Sequence, residues 1–150
     1  MRTILITILA LIAITAHAET TEVIAGVYTT HFADDAQQYN NDNRLVAIRY
    51  HTLIGGTFIN SYHQRTYFAG AIFEREAVLS GHRFSYGFST GAMHGYCWEA
   101  FQYGKPFHAD TCEQVVTPYL APFVGYRYDA LSLRVLSFGT SLTVTLGFEL

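Results

Sequence analysis

The stretch TSLTVTLGFEL, residues 140–150, decides the fold because apolar and polar side chains alternate along its whole length. Every second position is apolar: Leu142, Val144, Leu146, Phe148 and Leu150. Successive side chains of an extended strand point to opposite faces, so this segment has one apolar face and one polar face, a pattern that excludes a buried helix. Two interpretations fit it: a half-buried strand of a soluble all-β domain, or the closing strand of an outer-membrane barrel.

The first residues have the order of a secretory signal peptide and favour the barrel. Arg2 precedes an apolar run at residues 4–14, and Ala16-His17-Ala18 has the small-x-small form of a cleavage site. The run is too short to span a bilayer as a helix, and no later segment is apolar over the roughly 18 residues that this requires. We expect residues 1–18 to be removed and residues 19–150 to form a single transmembrane β-barrel domain.

The composition also indicates a membrane barrel. Charged residues make up 14% of the chain, against about 25% in typical soluble domains, while aromatic residues reach 15%. Aromatic rings are enriched where a barrel meets the lipid headgroups. The formal charge of −3 becomes −4 once Arg2 is lost, so the sequence offers no surface for nucleic acid.

Eight strand-like runs follow one another in the exported part. We predict them at residues 23–32, 45–51, 56–61, 66–75, 84–94, 119–128, 130–138 and 140–150. They predict an all-β fold, an eight-stranded antiparallel up-and-down outer-membrane β-barrel. An even count puts both termini on the periplasmic side, so residues 33–44 and 95–118 become outer loops and Tyr128-Asp129 a tight inner turn.

Side-chain parity also predicts what lies inside the barrel. Small residues of two strands should point inward: Ser141, Thr143, Thr145 and Gly147 of the last, and Ser85, Gly87, Ser89 and Gly91 of the fifth. They would leave room for one acyl chain. The alternative is that Arg49, Arg134 and Glu149 form inward ion pairs that fill the interior.

The two cysteines fall in the longer predicted outer loop. An exported chain meets an oxidising compartment, so Cys97 and Cys112 are expected to form a disulfide. A metal site that uses His94 and His108 lacks the paired spacing of zinc motifs. We therefore predict no metal and no cofactor.

Short motifs along the chain carry a family resemblance. They are THFADD (residues 30–35), YNNDN (39–43), FINSY (58–62), GFSTG (87–91) and PYLAPFVGY (118–126). Together they resemble the lipid A palmitoyltransferases of Gram-negative outer membranes. The resemblance implies a monomer in the cell outer membrane that moves an acyl chain from a phospholipid to lipid A. It also implies a catalytic role for His31 and Ser61, and a lipid-access opening beside Pro118 and Pro122.

The chain departs from that family at three points. Asn60 stands where the family has an aspartate beside its catalytic serine, and an amide does not ionise. Only residues 19–22 precede the first strand, where the family has an amphipathic helix. The loop that carries the two cysteines has no counterpart in the family.

The residues themselves are suited to acyl transfer, which needs an activated nucleophile or a base for the acceptor hydroxyl. His31 and Ser61 lie at the outer ends of odd-numbered strands and are expected to meet, with Asn60 orienting His31 or donating to an oxyanion. Asp34 or Asp35 is the candidate for the missing negative charge.

Simpler roles stay open for each of these residues. His31 is equally well explained as a solvated rim histidine, and the Asn60-Ser61 pair as the start of a turn. Pro118 and Pro122 equally fit a loop end and a bulge. The alternative functions are a non-catalytic surface barrel, whose outer loops bind a partner or shield the membrane, and a soluble periplasmic lipid-binding barrel.

Overall fold

The chain folds into a closed, all-β barrel, as the alternation predicted. In a computed structural model, which describes residues 21–32, 39–97 and 113–150, eight antiparallel strands pair in chain order and the last pairs with the first. The strands are β1 (Thr21–His31), β2 (Val46–Tyr50), β3 (Leu53–Ile59), β4 (Arg65–Leu79), β5 (His82–Cys97), β6 (Gln114–Tyr128), β7 (Leu131–Phe138) and β8 (Ser141–Glu149). The described residues include no helix that is long and apolar enough to cross a membrane.

The two ends of the barrel differ in their connections. At one end, called here the turn end, β1 begins, β8 ends and three two-residue turns join the strands at residues 51–52, 80–81 and 129–130. His51, Ser80, Gly81 and Asp129 have positive φ angles in these turns, as tight hairpin turns require. The other end, called the loop end, carries the longer connections at residues 32–45 and 98–113.

The predicted parity of the last strand is confirmed. Leu146 and Phe148 of β8 are about half exposed, at 47% and 50%, whereas Ser141 and Thr145 are buried inside the barrel. On β5, Ser85 and Ser89 are likewise buried, while Phe84, Tyr86 and Phe88 are exposed on the outer surface. The outer wall is therefore apolar and the small polar residues line the interior.

Three strands extend further than predicted. The fourth and fifth strands were placed at residues 66–75 and 84–94, but they continue to a tight turn, and Arg83 pairs with Glu76 across this hairpin at 2.7 Å. β6 begins at Gln114, so the predicted loop at residues 95–118 is shorter by several residues at each end. The charged residues near the hairpin resemble a loop in sequence, but they belong to a ladder that runs without interruption to Leu79 and His82.

A buried ion network fills the interior near the turn end. Arg134 contacts Glu22 and Glu74 at 2.8 and 3.1 Å, and Arg49 also pairs with Glu74. Arg127 pairs with Glu149 beside them. Nearer the loop end the interior is instead a cavity. Inward ion pairs and open space were alternatives in the sequence analysis, and both are present: the ion pairs near the turn end and the open space nearer the loop end.

Candidate functional site

The predicted contact between His31 and Ser61 is present at the loop end of the barrel. His31 is the last residue of β1 and Ser61 lies two residues beyond the end of β3. Their side chains meet at 2.7 Å, between His31 Nε2 and Ser61 Oγ. The contact bridges two strands that do not pair with each other, because the segment 39–45 lies between them.

The segment 39–45 takes the place of a longer second strand. Pairing between β1 and β2 ends at Ala25 and Val46. Beyond that point the backbone nitrogens of Gly26 and Thr29 donate to the carbonyls of Leu45 and Asn41, at 2.8 and 3.1 Å. On its other side the segment pairs with the end of β3. It is therefore fixed along both edges and holds its side chains at the rim.

Asn41 orients the His31 ring. Its Oδ1 lies 3.1 Å from His31 Nδ1. An amide oxygen only accepts hydrogen bonds, so Nδ1 carries a hydrogen, and in the neutral ring the lone pair of Nε2 then faces the Ser61 hydroxyl. Tyr39 stacks on the same ring, with 4.7 Å between ring centroids and 19° between planes. The imidazole is thus held in the tautomer and orientation of a general base for Ser61.

Tyr96 completes the surroundings of Ser61 from β5, two strands away from β3. It is buried near the end of β5, and its hydroxyl is hydrogen-bonded to the side chain and the backbone of Ser61. Tyr62 packs edge-on against the Tyr96 ring at 6.3 Å. Ser61 therefore lies between a base and a phenol, at the point where the rim meets the interior.

Asn60 does not orient His31, contrary to the expectation from the sequence. Its side chain is 1% exposed and turned away, with Nδ2 donating to Gly95 O at 2.9 Å and to Thr66 Oγ1 at 3.1 Å. Its Oδ1 accepts from the backbone nitrogens of Tyr62 and Gln64. Asn60 and Ser61 face opposite ways, so Asn60 stabilises the turn after β3 while Ser61 contacts His31. Asn41 is the residue that orients the His31 ring.

A cavity runs from this rim into the barrel. It has a volume of about 120 Å³, begins at Ser61 and Tyr96, and ends against Arg134 and Thr145. Its wall is mostly apolar, with Phe58, Phe68, Ile72, Met93, Leu136 and Phe138 among the lining residues. Ser61, in contact with His31, therefore lies at the mouth of a narrow apolar chamber.

Pro118 and Pro122 lie on β6 where pairing with β7 has ceased. β6 pairs with β5 along its whole length, but its ladder with β7 stops at Phe123 and Leu136, immediately after Pro122. Proline has no backbone donor for a ladder. Toward the loop end, the barrel wall therefore lacks backbone pairing between these two strands.

Several predicted groups lie outside the described residues. Cys112, Asp34, Asp35 and His108 are among them, so the disulfide with Cys97 and the acidic partner of His31 stay predictions. Within residues 21–32, 39–97 and 113–150, no group of three His, Cys, Asp or Glu side chains is arranged to hold a metal ion.

Sequence reasoning missed Asn41 and Tyr96 as members of the site. Asn41 was part of the YNNDN motif, but a loop has no parity from which to deduce its direction. Tyr96 was placed in the predicted outer loop at residues 95–118, but it belongs to β5 and follows a register shift between His94 and Tyr96. Comparison of the chain with protein-family models, with curated proteins and with solved structures found no match.

Proposed function

We propose that the protein is an outer-membrane barrel that transfers an acyl chain from a phospholipid to lipid A. The observation that carries the proposal is the 2.7 Å contact between His31 Nε2 and Ser61 Oγ at the mouth of an apolar cavity. A serine and a base oriented by a third group form the usual arrangement for nucleophilic acyl transfer. The motif resemblance to lipid A palmitoyltransferases supplies the donor and acceptor lipids.

The first half-reaction forms an acyl-serine. His31 Nε2 takes the proton of the Ser61 hydroxyl while Oγ bonds to the ester carbonyl carbon of the phospholipid. The ester C–O bond then breaks, and the departing lysophospholipid oxygen receives the proton from the imidazolium. The acyl chain, now attached to Ser61, lies in the cavity.

The second half-reaction transfers the chain. A lipid A hydroxyl gives its proton to His31 and attacks the acyl-serine carbonyl carbon. Ser61 Oγ leaves and takes that proton back, so the enzyme returns to its starting state. We assign stabilisation of the oxyanion in both steps to the Tyr96 hydroxyl, which is in contact with Ser61.

The outer wall supports a membrane location. Large apolar side chains are exposed around the barrel, including Ile48, Leu53, Val124, Leu131, Leu133 and Phe148. A soluble monomer rarely exposes so much contiguous apolar surface. Hydrocarbon is the solvent that such a wall fits.

The test is expression in a Gram-negative host that lacks its own palmitoyltransferase, followed by mass spectrometry of lipid A. We expect lipid A to gain the mass of one acyl chain. His31→Ala and Ser61→Ala should each lower the acylated fraction by about 100-fold or more, because the base and the nucleophile are lost. His94→Ala, an exposed histidine on β5, is the matched control and should keep full transfer.

A gel of unheated and boiled samples accompanies each variant, since folded membrane barrels resist detergent until they are boiled. An unchanged lipid A mass with a folded barrel in the outer membrane would leave the non-catalytic surface barrel as the function. Recovery of the protein in the soluble periplasmic fraction would instead favour the lipid-binding barrel.

A further inference from the structure

The outer face of β4 carries an arginine near each end of the barrel wall. Arg65 is the first residue of β4, and Arg75 lies ten residues further along the strand, so both side chains are on its outward side, and both are exposed. The outward positions between the two arginines hold uncharged residues: Tyr67, Ala69, Ala71 and Phe73. β4 therefore presents an uncharged stripe with a cation at each edge.

The separation of these two arginines matches the height of a membrane band. Ten strand residues rise by about 33 Å along the strand, which is about 25 Å along the axis of a barrel whose strands are tilted by about 40°. The apolar band of an outer-membrane barrel is about 25 Å tall. We therefore expect Arg65 and Arg75 at the two headgroup levels of the membrane, with Arg65 at the loop end.

Arg65 has no acidic partner in the described part of the chain. Its Nη1 lies 3.5 Å from Thr57 Oγ1, at the long limit of a hydrogen bond. Arg44, at the same rim, is different, because it pairs with Asp42 at 2.8 Å. A charge that leaves bulk water is costly unless it is paired, and lipid phosphates are the anions at this level of a membrane.

Arg65 also lies close to the reacting serine along the chain. Residues 60–64 join β3 to β4, so Ser61 and Arg65 lie at the two ends of one short connection. The Ser61 side chain contacts His31 at the rim, whereas the Arg65 side chain lies on the outer face beside Thr57. A lipid on the outer face of β3 and β4 can therefore approach Ser61 while its phosphate contacts Arg65.

We propose that Arg65 binds a phosphate monoester of lipid A and so positions the acceptor hydroxyl for transfer at Ser61. A guanidinium donates two parallel hydrogen bonds to a phosphate, which fixes orientation as well as affinity. The unpaired part of β6 is on another side of the barrel, which leaves the β3–β4 face to the acceptor. The inference rests on the proposed function, from which it takes the acceptor lipid and the orientation of the barrel.

The experiment measures binding and requires no turnover. The folded barrel in detergent micelles is mixed with lipid A that carries both phosphates, or with the same lipid after both are removed, and bound lipid is counted by native mass spectrometry. We expect the phosphorylated form to bind about tenfold more tightly, the effect of one charge-assisted contact. Phosphatidylglycerol, added as a competitor, should displace it weakly, because a phosphodiester carries one negative charge and a monoester nearly two.

Arg65→Gln removes the charge and should abolish the preference for phosphorylated lipid A. Unchanged binding of the dephosphorylated lipid shows that this variant is folded, and Arg65→Lys, which keeps the charge, should keep most of the preference. Arg44→Gln and Arg75→Gln are the matched controls. The first removes a charge that Asp42 already pairs at the same rim, and the second removes the charge at the other edge of β4, so both should keep the preference.

Equal binding of the two forms of lipid A would overturn the inference, as would a preference that survives Arg65→Gln. Equal losses in Arg44→Gln or Arg75→Gln, or equal competition by phosphatidylglycerol, would also overturn it, because the attraction would then not be specific to Arg65 and lipid A. A preference that depends on Arg65, without lipid A acylation, would support the phosphate site and reject the proposed enzyme. Acylation that is indifferent to the phosphates and to Arg65 would do the reverse.

Discussion

Asn41 and Asn60, two asparagines of the rim, have different roles. The sequence analysis gave the orientation of His31 to Asn60, but Asn41 makes that contact. Asn41 contacts the His31 ring and is exposed, whereas Asn60 is buried and bonded to the turn around it. The same substitution should therefore affect catalysis at one position and stability at the other.

We expect Asn41→Ala to lower acyl transfer by about 100-fold, because a misplaced base loses that much rate, with little change in stability. Asn60→Ala should destabilise the barrel by roughly 1–3 kcal/mol, because buried partners lose their hydrogen bonds. Lipid A mass spectrometry and urea unfolding in micelles separate the two effects. A large stability loss in Asn41→Ala would contradict the positioning role.

For single residues, the sequence predicted which end of the barrel a side chain lies at better than it predicted which atoms that side chain contacts. Strand parity and the closed topology were enough to bring His31 and Ser61 to the same rim. They were not enough to say which way an asparagine beside a turn would point, since that depends on which backbone groups the turn leaves unpaired.

Among the strands, β6 has very different pairing on its two sides. It pairs fully with β5, but it pairs with β7 only from Phe123 onward. Pro118 and Pro122 lie in the part that lacks the second partner, and we propose that lipid passes sideways between the two strands there.

Replacing both prolines with alanine gives this part of β6 two backbone donors, of which the one at position 122 lies opposite Ser137 if the ladder is continued. We expect Pro118→Ala/Pro122→Ala to slow acyl transfer by about fivefold, because one hydrogen bond of about 1 kcal/mol would hold the strands together there. Leu120→Ala, on the outer face between the prolines, keeps its own donor and is the control. Lipid A acylation is measured over time, and equal rates in all three proteins would contradict the lipid-access role.

The eight strands were predictable because alternation is a property of each segment alone. Their ends were not predictable, because the length of the β4–β5 hairpin depends on the pairing of the two strands with each other, which continues to Leu79 and His82. The partial ladder of β6 depends on where β7 ends, which is a property of the assembled barrel.

For the molecule as a whole, the ion network near the turn end ties distant strands together. Arg134 of β7 contacts Glu22 of β1 and Glu74 of β4, all of them almost fully buried. The sequence offered these charges as one way to fill the barrel, but it did not show that they occupy one half and leave the other open.

We expect Arg134→Met to destabilise the barrel by about 3 kcal/mol, since two buried carboxylates each lose one of their cationic partners and only Arg49 remains close to both. Arg83→Met removes an exposed ion pair and should cost less than about 1 kcal/mol. Urea unfolding of both variants in the same micelles gives the comparison. Similar losses in the two variants would show that the buried network contributes no more than a surface pair.

The ladder between β1 and β8 has a consequence for how the chain reaches this state. β1 pairs with β8, and Glu22 lies opposite Glu149. These contacts have the highest sequence separation in the barrel, so they form late in folding. Folding should be slow by the usual dependence on contact order, and the waiting chain exposes two unpaired edges together with an apolar surface. Until β8 pairs with β1, such a chain is therefore prone to aggregate.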